Sequence, residues 1–319
     1  MKLVGARNSL LCASASALAA CGGGGGGAFV QSTPPPAMTP TPTPTPTPAL
    51  GMMAGDYIVA RSAANQAFES YGSDVSVEGQ TGAAKVMSTI NTDQPQIRYN
   101  SASSHYEIAL PEGGGWQPMG LDSSEVPNTR DLVTGGADRV FFQLHEYAGT
   151  GYLYSALAWW SKWTGAYSYE AGGLAFGIPT PAGGVPLTGS ATYNGSISGL
   201  TTETSFDNLG GQYYSAILEG GISLSFDFGA GKLSGNISPT VYNLERKSLA
   251  PMSFTDTVYS SGNTRFSGKF DTSLPGANSF SGEFTGPNAQ ELIGGLTFPY
   301  KSPDDGKVYQ AAGGFLAKQ

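Results

Sequence analysis

In the C-terminal half of the chain apolar side chains recur at every second position, as in Ile222, Leu224, Phe226 and Phe228, or Phe280, Gly282 and Phe284. A period of two puts such a series on one face of a β-strand and on no face of a helix. Eight runs read this way: Gly189 to Gly199, Tyr213 to Phe228, Lys232 to Ser238, Ser253 to Tyr259, Thr264 to Asp271, Ser279 to Thr285, Gly294 to Phe298 and Val308 to Ala317. Gly229-Ala230-Gly231 and Ser261-Gly262-Asn263 between them are hairpin turns, because Gly and Asn tolerate positive φ. Eight antiparallel strands with short turns close into a small barrel, which removes the unpaired edges of an open sheet. Glycines between aromatic residues fit that closure, since they let a coiled strand bend and leave room for rings opposite. A membrane-spanning barrel is the competing reading. It asks for a lipid-facing apolar band, and the outward positions here are mostly Ser, Thr, Asp and Lys.

The chain starts differently. Lys2 and Arg7 precede a short apolar stretch, Leu10 to Ala17, that ends in Leu18-Ala19-Ala20-Cys21. This is the pattern of an export signal rather than a membrane span, which needs about 20 apolar residues. A cysteine directly after small residues resembles the lipobox of bacterial lipoproteins, in which that thiol carries lipid. Ordinary cleavage after Ala17-Leu18-Ala19 is the other reading, and would leave Cys21 a plain thiol. The lipobox resemblance implies several acyl chains on Cys21, and more than one chain is what stable anchoring requires. Gly22 stands where an inner-membrane retention Asp would be, so the expected location is the cell outer membrane, lipid-anchored and surface-exposed. Cys12 is the only other cysteine and leaves with the leader, so the mature body holds no disulfide and no thiolate metal site.

Residues 21–50 contain six consecutive glycines, then Pro34-Pro35-Pro36 and a Thr-Pro alternation from Thr39 to Pro48. That composition cannot build a core and reads as a disordered linker. At about 3.1 Å per residue, the proline-rich part alone spans about 45 Å. Residues 51–165 read as a smaller β-rich part and 166–319 as the barrel. One helix is expected in the former, where Ala63, Ala64, Ala67, Phe68 and Tyr71 fall at three- and four-residue spacings between Ala60 and Tyr71. The formal charge is −8, and it becomes more negative once Lys2 and Arg7 are removed. That disfavours nucleic acid. It suits a basic partner and, more simply, solubility.

An enzyme needs a nucleophile, an acid–base pair or a metal site, and the chain offers few parts. The two histidines, His105 and His145, stand alone and read as strand residues. No GxSxG elbow or SxxK dyad occurs. Asp304-Asp305-Gly306 lacks the spaced ligands of a calcium loop and reads as a solvated turn. The expectation is a non-enzyme with no catalytic residues, no cofactor and no metal. The densest unusual feature is aromatic: Tyr152, Tyr154, Trp159, Trp160 and Trp163 hold three of the four tryptophans. Such a cluster is either a ligand-binding anchor or packing at the junction of two β domains; the junction is the favoured reading and the five residues remain the ligand-binding candidates.

The segment Phe284-Thr285-Gly286-Pro287-Asn288-Ala289-Gln290-Glu291-Leu292-Ile293-Gly294-Gly295 resembles the signature of the transferrin-binding protein B barrel-domain family of surface lipoproteins. Phe176 to Pro181, Thr188 to Tyr193, Asp227 to Gly235 and Ala311 to Lys318 resemble it in the same order, so the likeness covers roughly residues 170–319. Gly286 is expected to turn the chain and residues 287–292 to make one helical turn behind Pro287. The resemblance implies an all-β, single-lobed protein, a small handle-like β domain at 51–165 followed by an eight-stranded antiparallel soluble barrel at 166–319. It further implies capture of a host or environmental protein or a haem-type solute, iron or haem acquisition being one such role. A periplasm-facing structural lipoprotein without a dedicated ligand is the alternative.

Overall fold

A computed structural model describes residues 58–62, 65–87, 95–103, 105–110, 115–121, 131–134, 140–208 and 210–319. Cys21, the leader, the linker, Ala63 and Ala64 lie outside them. The strands of the first sheet are β1 (Glu69–Glu78), β2 (Ala84–Val86), β3 (Gln96–Asn100), β4 (His105–Ala109), β5 (Gln117–Leu121), β6 (Asp131–Thr134), β7 (Val140–Glu146), β8 (Ser155–Trp163) and β9 (Ser168–Gly177). They lie in the order β2-β1-β9-β8-β7-β6-β5-β4-β3. The segment just ahead of β1 then meets β3: Ala67 bridges Arg98, Phe68 N donates to Ile97 O at 3.1 Å and Tyr99 N to Gln66 O at 2.7 Å. The first sheet therefore curls back upon itself, covering edges that would otherwise invite a foreign strand. Phe68, Tyr106, Phe142, Trp160 and Phe176 fill its interior.

The second sheet comprises β10 (Ser190–Asp207), β11 (Gln212–Asp227), β12 (Lys232–Asn243), β13 (Glu245–Ser248), β14 (Met252–Val258), β15 (Arg265–Phe270), β16 (Ser279–Thr285), β17 (Glu291–Lys301) and β18 (Val308–Lys318). Its order is β11-β10-β18-β17-β16-β15-β14-β12-β13, and β11 pairs with β12 to close a ring. Eight strands form that ring and β13 hangs on β12 as a hairpin partner outside it. The eight expected strands are all present, several longer than their alternation suggested. Inside the ring, Phe226 meets Phe284, Tyr259 and Phe266 with ring centroids 4.7, 5.1 and 5.2 Å away. The aromatic-x-Gly repeats act as expected. A Cβ on Gly282 would lie 2.6 Å from the Phe266 ring and one on Gly268 would lie 2.6 Å from that of Phe280, so each glycine seats a ring from a neighbouring strand.

Three expectations are corrected. Among the described residues of 60–71 there is no helix. Phe68 packs into the interior of the first ring and Tyr71 on its outer face, so side chains that share one face of a helix serve two opposite faces of a strand. Residues 287–292 make no helical turn either. The chain reverses over 286–289 with Gly286 and Ala289 at positive φ, and Glu291 already belongs to β17. Tyr193 holds the reversal from inside by donating its hydroxyl to Ala289 O at 2.6 Å. Finally, the division at 165/166 falls between β8 and β9, which pair along their whole length, so β9 stays with the first sheet and the change of sheet comes after Gly177.

Candidate binding cleft at the sheet junction

The outer face of β1, β9 and β8 lies on the outer face of β10, β17 and β18. Two apolar patches make that contact: Tyr71, Tyr152, Leu157 and Ala175 with Ile293 and Leu316, and Val75, Val77, Tyr169 and Ala171 with Leu200 and Ala312. This explains why β17 is buried on both faces, and why its sequence, Leu292 to Tyr300, departs from alternation. Between the patches the backbones touch. A Cβ on Gly173 of β9 would sit inside the van der Waals shell of Ser198 O on β10 and 2.7 Å from Gly314 N on β18.

Polar groups fix the register of the two sheets. The buried Glu291 carboxylate accepts from Leu153 N at 2.6 Å, Tyr154 N at 3.1 Å and Ser155 Oγ at 2.5 Å. The acidic residue of the resembled signature thus fastens the start of β8 to the barrel. Glu283, also buried, accepts from the Tyr71 hydroxyl at 3.1 Å and pairs with Arg265 at 3.2 Å, which raises the Arg265 pKa.

The five aromatic candidates divide among three environments. Trp160 is buried in the core of the first ring. Tyr152 is buried in the junction, where Lys318 Nζ lies 4.4 Å from its ring centre; burial first, then Glu146 and Glu291, raise its pKa. Tyr154, half-buried, has its ring against Gly286. Trp159 and Trp163 come together with Tyr169, Leu200, Tyr214 and Ile217 around an apolar cleft of about 250 Å³. Trp163 is 52 % exposed at its mouth and meets Tyr169 edge-on at 5.5 Å, and Tyr169 meets Tyr214 at 6.4 Å. Leu200, Tyr214 and Ile217 enter from the barrel strands, and their one local sign in the sequence is the Tyr213-Tyr214 pair at the start of β11. His145 lines a neighbouring cleft with Glu146 and Glu219, while His105 bonds Ser103 O locally. Among the described residues no group of His, Cys, Asp and Glu is placed to hold a metal ion.

Tyr169 also accepts a hydrogen bond from Ser215 N at 2.8 Å, and burial raises its pKa from the usual 10 to about 12. Burial does the same to Tyr193 in the barrel interior, again to about 12. A folded pKa above the unfolded one gives stability that is complete below pH 10 and is lost as the pH rises toward 12. Urea unfolding midpoints should therefore be flat from pH 8 to about 9.5 and fall steeply above about pH 10, and absorbance at about 295 nm should show Tyr169→Phe removing one late-titrating phenol.

Residues 185–319 match the family model described as the C-lobe and N-lobe beta barrels of Tf-binding protein B. Over those residues the chain is similar to the transferrin-binding protein B barrels. All the resembled blocks except Phe176 to Pro181 lie inside the matched segment. Among solved structures, a double mutant of transferrin-binding protein B from Haemophilus parasuis is 19 % identical over 78 % of this chain and 45 % of its own, with a TM-score of 0.43. The isotype 1 protein from Neisseria meningitidis is 14 % identical over 79 % of this chain and 43 % of its own, with a TM-score of 0.40. The chain thus spans less than half the length of these two transferrin-binding protein B structures. No curated protein matches the sequence.

Proposed function

We propose that the chain is a non-enzymatic surface lipoprotein of the outer membrane. It is anchored through lipid on Cys21, held away from the membrane by its proline-rich segment, and captures a host or environmental protein. The observation that carries this reading is the join between a barrel similar to those of transferrin-binding protein B and a second β ring that leaves an open aromatic cleft at their seam. Trp and Tyr dominate binding hot spots because they bury large area at small entropic cost. Relatives of the barrel family bind transferrin by name; here the ligand class is a protein, with iron or haem acquisition as the role such capture serves.

The test is protease treatment of intact cells expressing the full chain. Cleavage of residues 51–319 without lysis is the expected result, together with release of the chain into the medium when Cys21→Ala is introduced. Full protection of that region in intact cells, or unchanged membrane retention of the Cys21→Ala chain, would overturn the location and the anchor respectively.

A further inference from the structure

The cleft around Trp163 is walled by rings, and no charged side chain lines it among the described residues. Trp159, Trp163 and Tyr169 come from the first sheet and Tyr214 from the barrel, and the other lining residues are aliphatic or carry hydroxyls. The rings stand at angles to one another, as the walls of a cage do: Trp163 meets Tyr169 at 63° and Tyr169 meets Tyr214 at 36°. Lys162 lies between Ser161 and Trp163 on β8, and Glu170 follows Tyr169 on β9, so alternation sends both charged side chains to the opposite face of the sheet. Arg246 is two strands from Ile217 in the barrel register, about 10 Å away. It is held there by Glu219 at 2.8 Å. An acid stands closer. A Cβ on Gly210 would lie 2.8 Å from Asp207 Oδ2 and 3.2 Å from the Tyr214 hydroxyl, which places that carboxylate near the rim.

We infer that this cleft takes a trimethylammonium group, presented on a lysine side chain of the captured protein. The inference rests on the reading of the cleft as the ligand site and names the group that enters it. Aromatic faces carry a negative quadrupole and attract a cation placed over them, Trp most strongly. Asp207 and the formal charge of −8 on the chain favour the same sign of ligand. The lining decides which cation. A primary ammonium or a guanidinium brings N–H donors that each need an acceptor once buried. Among the described residues the lining offers no carboxylate and no side-chain amide, and Ser215 Oγ already donates to Thr201 O. A trimethylated ammonium has no N–H and presents its charge through methyl groups, which suits a nearly apolar, ring-lined wall. The size agrees: about 250 Å³ is below the about 300 Å³ at which pockets for drug-sized ligands begin, leaving room for one head group and its stem. A protein carrier follows from the rim. Tyr167, in the turn that follows Trp163, and Phe206, which pairs with Tyr213, are further exposed rings adjoining the lining residues in chain and register. Residues flanking an inserted side chain would cover them.

The probe is a fluorescein-labelled peptide Gly-Ser-Lys-Ser-Thr-Gly with its lysine trimethylated, titrated with full-length protein and followed by anisotropy. Two controls carry either the unmodified lysine or a side chain of the same shape in which carbon replaces the quaternary nitrogen and removes the charge. The expected result is saturable binding of the trimethylated peptide, with each control weaker by about tenfold or more. Trp163→Leu and Tyr214→Leu should each lose about tenfold as well, since leucine keeps an apolar wall and removes the ring face. Both positions are partly exposed, so the variants should keep the parent melting curve. Binding of the uncharged analogue as tight as that of the cation would show a merely apolar cleft and overturn the inference. Equal binding of the unmodified peptide, unchanged binding by both leucine variants, or no binding at millimolar protein would do the same. Sedimentation of the chain with phosphatidylcholine vesicles, without peptide binding, would overturn the protein carrier in favour of a choline-bearing membrane. If a serum protein is retained in a Trp163-dependent way while the peptide is not bound, the inference falls and the capture function stands; loss of both removes the two together.

Discussion

Replacing Glu291 by Ala should lower the thermal midpoint by about 10 °C. The substitution strips three donors, Leu153 N, Tyr154 N and Ser155 Oγ, of one shared acceptor. Each buried donor left without a partner costs about 1–3 kcal/mol. Leu153 is partly exposed and regains water, so the sum comes to about 3–5 kcal/mol, and a domain of this size loses about 2–4 °C per kcal/mol. Glu291→Gln keeps one carbonyl acceptor and should cost about half as much. Ser155→Ala alone should cost about 1 kcal/mol, and the double variant Ser155→Ala/Glu291→Ala should be less destabilised than the two singles added, because both act on one network. Additivity within about 0.3 kcal/mol would show that Glu291 does not fasten β8 to the barrel.

Gly173→Val should be more damaging. Its side chain would have to occupy the space of Ser198 O and Gly314 N, and all the atoms in the way are backbone of strands fixed by their own ladders. Overpacking of a core ordinarily costs about 1–3 kcal/mol and more when nothing can yield. The two sheets have to part along the seam, exposing Val75, Ala171, Leu200 and Ala312. Gly173→Ala should already cost more than about 3 kcal/mol, measured as a shift in the urea midpoint, and the valine variant should be recovered as aggregate. Gly120→Ala is the matched control. It is an exposed strand position where a Cβ meets nothing within 4 Å, so its effect should stay within about 0.5 kcal/mol.

These positions also show what was legible beforehand. The barrel strands could be read because one face of each packs inward on a single aromatic core, so alternation survives in the order of residues. Ile222, Leu224 and Phe226 all point into that core. Where a second layer covers the outer face, alternation fails: Leu292 and Ile293, adjacent in sequence, go to opposite cores. That continuous apolar run was itself the sign that something lies on the barrel. The closure of the first sheet through Ala67 and Arg98 leaves no local trace, since it depends on a pairing between segments 31 residues apart and not on a pattern within either. The same holds for the cleft. Trp159 and Trp163 stood out by composition, but their partners Leu200, Tyr214 and Ile217 come from strands whose approach is fixed only by the glycine seam.

The central claim is that this β scaffold exists to hold a ligand, and retention on immobilised full-length chain tests it most directly. Host serum and haem-loaded medium are passed over the chain and, in parallel, over Trp163→Ala. The account predicts saturable retention of a defined protein that soluble chain competes away and Trp163→Ala weakens. Retention of nothing beyond bare resin from either fluid would contradict it and leave a structural lipoprotein.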